Sequence, residues 1–181
     1  GTVRRRLLND KAKDLGADRL AIGHNLDDIA ETFMQNIVRN DLEKIETNPP
    51  NGNPEDESGN YIPRVKPLMA LLEEEIVRYC YYMDFPIQNV PCPYSETFPI
   101  LRKKVQTFIN EMETQSAEIK YNLLEMNEKF YGILNKKNNN TDILDNAKLK
   151  IEQKKCENCH QFCGLKRRLC YYCELKQQLN I

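Results

Sequence analysis

Two groups of residues in this sequence have types and spacings that can do chemistry. Toward the end of the chain, Cys156-x2-Cys159 is followed after ten residues by Cys170-x2-Cys173. This double knuckle lets four thiolates reach one tetrahedral ion, with a tight turn at each pair. Zinc in a four-cysteine ribbon is the expected occupant. His160 and Cys163 lie between the pairs, and either could replace a ligand, although the symmetric pairs need no help. Toward the beginning, the stretch RLAIGHNLDDIAETFMQNI (19–37) ends a short apolar run in Gly23-His24-Asn25 and then places Asp27 beside Asp28. A turn after a strand and before a helix is where α/β proteins bind anions, because free N–H groups and the helix dipole point outward there. His24 and Asn25 can offer neutral donors to phosphate. Adjacent residues cannot share one helix face, so one aspartate caps while the other is free to meet a magnesium ion or a polarised substrate. Taken alone, these residues also fit a capping Asp with a solvent-facing neighbour.

The elements that must position these groups follow from hydrophobic period and stop signals. Val3, Leu7, Leu8, Ala12 and Leu15 form a helical stripe over residues 2 to 15, and Gly16 is the expected stop. RLAIG then reads as a buried strand. With Asp27 as N-cap, Ile29, Ala30, Phe33, Ile37 and Val38 continue as a helix to Asn40, giving strand, turn and helix, one unit of an α/β sheet. NPPNGNPEDESGN (48–60) is turn chemistry throughout and is expected as a surface loop. YIPRVKPL reads as a second strand and LLEEEIVRYCYYMDF as a helix with Ile76, Cys80 and Met83 inward; PIQNV is a short extended piece before PCPYS. Two amphipathic helices are expected at about 99–113 and 116–134. The polar run from Asn135 marks a linker. The expected organisation is therefore a main domain over 1–134, a linker over 135–155 and a ribbon over 156–181.

Bulk properties restrict the classes of function. At 181 residues and 40% hydrophobic, the chain can bury one sizeable core plus a small appendage. The net charge of −1 gives no global basic field, so any nucleic-acid surface must be local. Between Lys148 and Lys176 there are eight Lys or Arg against three acids, interleaved with Phe162, Tyr171 and Tyr172. That composition suits phosphate contacts and base stacking, and equally a solvated face balancing thiolate charge. Five of the seven cysteines fall between Cys156 and Cys173, which points to a metal in a reducing compartment more than to disulfides. The 26 residues from Cys156 onward are too few to fold on a hydrophobic core, so the metal would supply the folding energy. No apolar run approaches the roughly 20 residues that span a bilayer and no secretory leader is visible, so no membrane association and a cytoplasmic location are expected. The chain opens on Gly1 and runs directly into a helix, so it is expected to begin inside a longer sequence.

The stretch from Gly1 to Asp41, with IPRVKPL, CPYS followed by helices, and the closing CxxC…CxxC, resembles the second half of an ATP-dependent tRNA thiolation enzyme of the PP-loop superfamily. The tRNA 2-thiouridine synthetases are the nearest group and the 2-thiocytidine enzymes are cousins. The resemblance covers almost the whole chain in the family's order. It implies a Rossmann-like parallel sheet of the adenine nucleotide alpha hydrolase type, here its second half, and an enzyme that adenylates a tRNA base at its carbonyl oxygen before sulfur displaces AMP. ATP, Mg2+, Zn2+ and a [4Fe-4S] cluster are the implied cofactors. The implied partners are tRNA, a sulfur donor (sulfide or a sulfur-carrier protein) and a second copy in a homodimer.

Carried residue by residue, the resemblance gives Asp28 an essential role near the activated base, with Gly23, His24 and Asn25 beside it on the ATP and magnesium side. It matches Arg4 to the basic residue a few positions after the family's central Cys-x-x-Cys-Gly, whose Gly would be Gly1. Cys92 matches the third member of a cysteine trio that ligates the cluster in many relatives, leaving one iron open to carry sulfur; without the resemblance Cys92 reads as a packed thiol, as Cys80 does. The sequence departs from the family in containing neither the Ser-Gly-Gly-x-Asp-Ser loop, the central CxxC nor an amino-terminal ribbon, and in the length of NPPNGNPEDESGN. The segment as given is therefore expected to be inactive alone. The alternative readings are another PP-loop adenylating ligase acting on tRNA and a noncatalytic zinc-ribbon module that binds tRNA.

Overall fold

The computed structural model describes residues 2–52, 61–87, 101–137, 154–159, 162–163 and 168–179. These form two compact units. One comprises Gly1–Leu20, Pro54–Pro63 and Asn140–Ile181, the other Ala21–Asn53 and Arg64–Asn139.

The second unit carries the larger core. Its first helix, α2 (Leu26–Val38), is packed by α5 (Leu101–Glu113) and α6 (Ile119–Lys137). Leu26, Ile29 and Leu124 make one buried cluster with Met69 and Leu72 against it. Ala30, Val105 and Ile109 make another, flanked by Met34, Leu101, Ile119 and Leu123. Phe33 and Phe130 meet edge to face with centroids 5.9 Å apart, the arrangement the ring quadrupoles favour. The short helix α3 (Leu42–Thr47), which no hydrophobic period announces, buries Ile45 and is capped by the Asp41 side chain, which accepts from Lys44 N–H.

The N-cap of α2 is Asn25, not Asp27. Its side-chain oxygen accepts from Asp28 N–H at 2.9 Å, and the Asp28 carboxylate accepts in return from Asn25 N–H at 3.3 Å. The reciprocal pair satisfies two otherwise orphaned donors, with Asp in the place usually held by Glu or Gln. The buried face of α2 turns toward Leu26, Ile29, Ala30, Glu31, Phe33 and Asn36, while Ile37 and Val38 are exposed. The helix ends with Asn40 at φ 54°, its N–H on Ile37 O and that of Asp41 on Asn36 O. This two-bond closure around a left-handed residue recurs in α1 (Thr2–Asp14) at Gly16 and in α4 (Glu73–Tyr82) at Asp84. Helix α4 has no fully buried residue: Ile76 and Cys80 are half-buried, and Met83 is exposed where an inward position was expected.

β1 (Leu20–Ala21) and β2 (Arg64–Val65) are shorter than the sequence suggests. Leu20 N–H donates to Pro63 O at 2.8 Å and Ile22 N–H to Val65 O at 3.0 Å. Both partners advance by two in the same direction, so the strands run parallel. Gly52 sits at φ 126° with Arg64 O only 2.0 Å from where a Cβ would stand, so no other residue fits this close approach.

In the first unit, α1 (Thr2–Asp14) stops where Gly16 predicts. Its expected apolar stripe is not buried, however: Val3, Leu7, Leu8 and Leu15 are exposed and only Ala12 and Asn9 are enclosed. Asn9 Oδ1 accepts from Ile62 N–H at 2.8 Å. β3 (Lys154–Lys155) pairs antiparallel with β4 (Phe162–Cys163), and α7 (Tyr171–Leu179) packs on α1. Asn135, expected to open the linker, lies within the last turn of α6, and β3 falls inside the span expected as linker. No described helix is long and apolar enough to cross a membrane.

A four-thiol centre and a carboxylate cluster

The four cysteines of the two CxxC pairs converge, although the pairs are ten residues apart in sequence. All four Sγ atoms lie within 4.8 Å of one another. β3 delivers Cys156, the turn after it Cys159, and the start of α7 delivers Cys170 and Cys173. Cys170 N–H donates to Cys156 Sγ at 3.2 Å, and the Sγ atoms of Cys159 and Cys170 are 3.6 Å apart. Cys156 and Cys173 are buried, the other two half-buried. Zinc–sulfur bonds of about 2.3 Å in a tetrahedron put sulfurs just under 4 Å apart, so the donor set and its spread fit a four-thiolate ion.

The thiols also show why a cation suits the cluster. Burial works to raise the Cys156 thiol, but backbone N–H groups of Cys170, Cys159 and Asn158, with the Cys159 thiol, bring it down to about 6. Burial and its three sulfur neighbours push Cys173 up instead. Four thiols this close cannot all ionise without a positive charge among them. His160 lies outside the described residues, as does the side chain of Cys163.

The second group is the carboxylate cluster at the start of α2. Neither aspartate is a bare solvent-facing carboxylate. Asp27 Oδ2 accepts from Glu73 N–H at 2.7 Å and so caps α4, its neighbour, rather than its own helix. Its Oδ1 lies 2.5 Å from Lys120 Nζ, and Lys120 bridges on to Glu113 at 2.7 Å. Lys120 is almost wholly enclosed; burial lowers its affinity for a proton, but the two carboxylates outweigh this and raise it. Asp28 pairs with Arg102, whose Nε also donates to Glu31 Oε2 at 2.6 Å. Burial, only partly offset by Arg102, raises the Glu31 carboxyl above the usual range. Arg102, Glu31, Lys120 and Glu113 are the functional neighbours that sequence spacing missed: Arg102 stands 74 positions from Asp28, so no local pattern joins them.

The remaining expected site residues are placed as follows. Gly23 and His24 are exposed in the turn before α2, and Asn25, half-buried, uses its side-chain oxygen for the cap, which leaves its amide as a donor. Arg4 is exposed on α1. Cys92 and Gly1 lie outside the described residues. Cys80 is half-buried on α4.

No family model matches the chain. Individual proteins do. A probable sulfurtransferase of Methanocaldococcus jannaschii is 34% identical over 159 residues, 88% of this chain and 41% of that protein. Cytoplasmic tRNA 2-thiolation protein 1 of Drosophila grimshawi is 32% identical over 93% of this chain and 48% of its own length. The tRNA 2-thiolation protein NcsA of Haloferax volcanii is 31% identical over 68% of this chain and 39% of its own. Among solved structures, the U34-tRNA thiolase NcsA from Methanococcus maripaludis, determined with its [4Fe-4S] cluster, superposes with a TM-score of 0.63 at 28% identity. That match covers 73% of this chain and 42% of that one. The chain is thus a homologue of sulfurtransferases. More particularly, it is related to the tRNA 2-thiolation proteins, and it spans less than half the length of those it matches.

Proposed function

We propose that this chain works as the carboxy-terminal part of a tRNA 2-thiolation enzyme, in which ATP-dependent adenylation of a tRNA base carbonyl is followed by replacement of that oxygen with sulfur. The observation that carries this reading is the similarity to a tRNA 2-thiolation protein along 93% of the chain, together with the likeness in fold to a U34-tRNA thiolase. The described parallel strand pair, followed by α2, is consistent with the edge of a Rossmann-like PP-loop sheet. tRNA is then the substrate, and sulfide or a sulfur-carrier protein the donor. A homodimer and a cytoplasmic location accompany the same reading.

Asp28 is the residue of this chain placed nearest the chemistry. Its cap bond with Asn25 and its pairing with Arg102 fix the carboxylate at the mouth of α2, which suits a group that orients a base or its counter-ion. A divalent cation binding directly to Asp28 would compete with the Arg102 guanidinium for the same carboxylate. The sequence holds no glycine-rich loop that could cradle triphosphate, so these residues do not by themselves fit ATP. Cys92 is proposed as a catalytic residue and a ligand of a [4Fe-4S] cluster, Arg4 as a catalytic residue by its match to the family motif, and Cys156, Cys159, Cys170 and Cys173 as the ligands of zinc, which would supply cross-linking in place of a core. The division into main domain, linker and ribbon belongs to this proposal, with α6 carried on to Lys137 and β3 assigned to the ribbon.

The test is made in the complete gene: Asp28→Ala and Cys92→Ala each abolish 2-thiolated nucleosides in tRNA digests read by mass spectrometry. Wild-type levels in both variants would end the proposal. An anaerobically purified protein without iron would instead favour an adenylating ligase of another kind.

A further inference from the structure

Arg6 belongs to neither group of residues singled out by spacing, yet it joins α1 to the four-thiol centre. Its guanidinium carbon lies 5.7 Å from the ring centroid of Tyr172, the residue immediately before Cys173, and Lys176 Nζ lies 5.9 Å from the same ring. Its Nε donates to Asp10 Oδ2 at 2.9 Å, one turn along the helix, and its side chain is only 20% exposed. Nη1 is buried without a hydrogen-bond partner. Because Tyr172 lies next to Cys173 in the chain, the guanidinium stands beside the segment that carries two of the four thiols.

An ordinary i,i+4 pair on a helix surface contributes a few tenths of a kcal/mol and has no need to bury a guanidinium nitrogen. Enclosing a charged group without full pairing is costly unless an opposite charge lies close by. Four thiolates around a divalent ion carry two net negative charges, and donors beyond the ligands ordinarily compensate such charge. Arginine is the suitable residue: its guanidinium can lie against the Tyr172 ring while its Nε serves Asp10 and its remaining N–H groups stay available to a negative charge.

We propose that Arg6 is the outer cation of the four-cysteine centre, pinned by Asp10 and held against Tyr172 so that its guanidinium stands beside the thiolates and strengthens metal retention. The proposal rests on reading the four cysteines as a metal centre, and the experiment separates the two. The full 181-residue chain is titrated with zinc against a competing chromogenic chelator, and with Co2+ to record the sulfur-to-cobalt charge-transfer band. Wild type should take one equivalent; if it takes none, the metal reading and this proposal both fall. With the site confirmed, Arg6→Met should weaken zinc binding about ten- to hundredfold and shift the cobalt band, while Arg6→Lys, which keeps the charge, recovers most of the affinity. Unchanged affinity in Arg6→Met overturns the proposal. So does equal weakening in both variants with an unshifted cobalt band, since that pattern means packing alone. Should Arg6→Met fail to fold, Asp10→Asn tests the same point by unpinning the guanidinium, with weaker zinc binding expected and wild-type binding overturning it.

Discussion

At the scale of the residue, a paired motif can be recognised in sequence while its parts are assigned to the wrong tasks. Asp27 and Asp28 are adjacent carboxylates before a helix, and the local rule makes the first of them the cap. The helix starts two residues earlier, so Asn25 caps, Asp28 returns the bond, and Asp27 is left to cap α4 and hold Lys120. A choice between two capping frames depends on the direction of chain entry and on what waits across the interface, neither of which is written in a ten-residue window. The cap has a measurable weight. Asn25→Ala removes the acceptor for Asp28 N–H and should cost about 1 kcal/mol in urea unfolding. It should also loosen the carboxylate that the proposed chemistry uses, so in the complete enzyme its effect should fall on turnover more than on tRNA affinity.

At the scale of the element, helices were legible and their partners were not. The stripe and stop signals place α1, α2, α5 and α6 within a few residues, because period and left-handed closures at Gly16 and Asn40 are local. Which stripe is covered is a tertiary matter: α1 and α4 present apolar side chains that nothing described encloses, whereas α2 buries Glu31 and Asn36 against its neighbours. Strands of two residues lie below what alternation can resolve, and β2 owes its position to the turn closed by Gly52 and to Lys66, whose Nζ donates to Pro49 O at 2.9 Å. Burial lowers the Lys66 ammonium to about 8. A lysine depressed in the fold binds fewer protons folded than unfolded between pH 8 and its ordinary 10.5, so it makes stability rise with pH across that window. Below pH 8 both states are protonated and the burial penalty stands in full. Lys66→Met should therefore flatten the difference in melting temperature between pH 7.5 and 9.5 that wild type shows; an unchanged difference would place the titration elsewhere.

At the scale of the whole molecule, the two units owe their stability to different physics. The unit containing α2, α5 and α6 has two contiguous apolar clusters, Phe33 against Phe130, and a buried lysine tied to two carboxylates, all independent of cysteine ligands. In the closing segment the fully buried side chains among the described residues are Cys156 and Cys173 themselves. Burial of two thiols cannot offset the roughly 1–2 kcal/mol per residue needed to order a backbone, so in the proposed zinc site the free energy of metal binding would supply the folding energy of that segment. The CxxC spacing made the convergence of the four sulfurs readable from sequence, since two pairs at fixed offsets bring their thiols together without a hydrophobic pattern. Stripping the metal with a chelator under reducing conditions should therefore act selectively. Hydrogen exchange followed by mass spectrometry should show amides of 154–159 and of α7 losing protection to near the unfolded rate, while those of α2 and α6 keep theirs, and readdition of zinc should restore the first set. Loss of protection in α2 and α6 together with the tail would mean that the metal stabilises the chain as one cooperative whole.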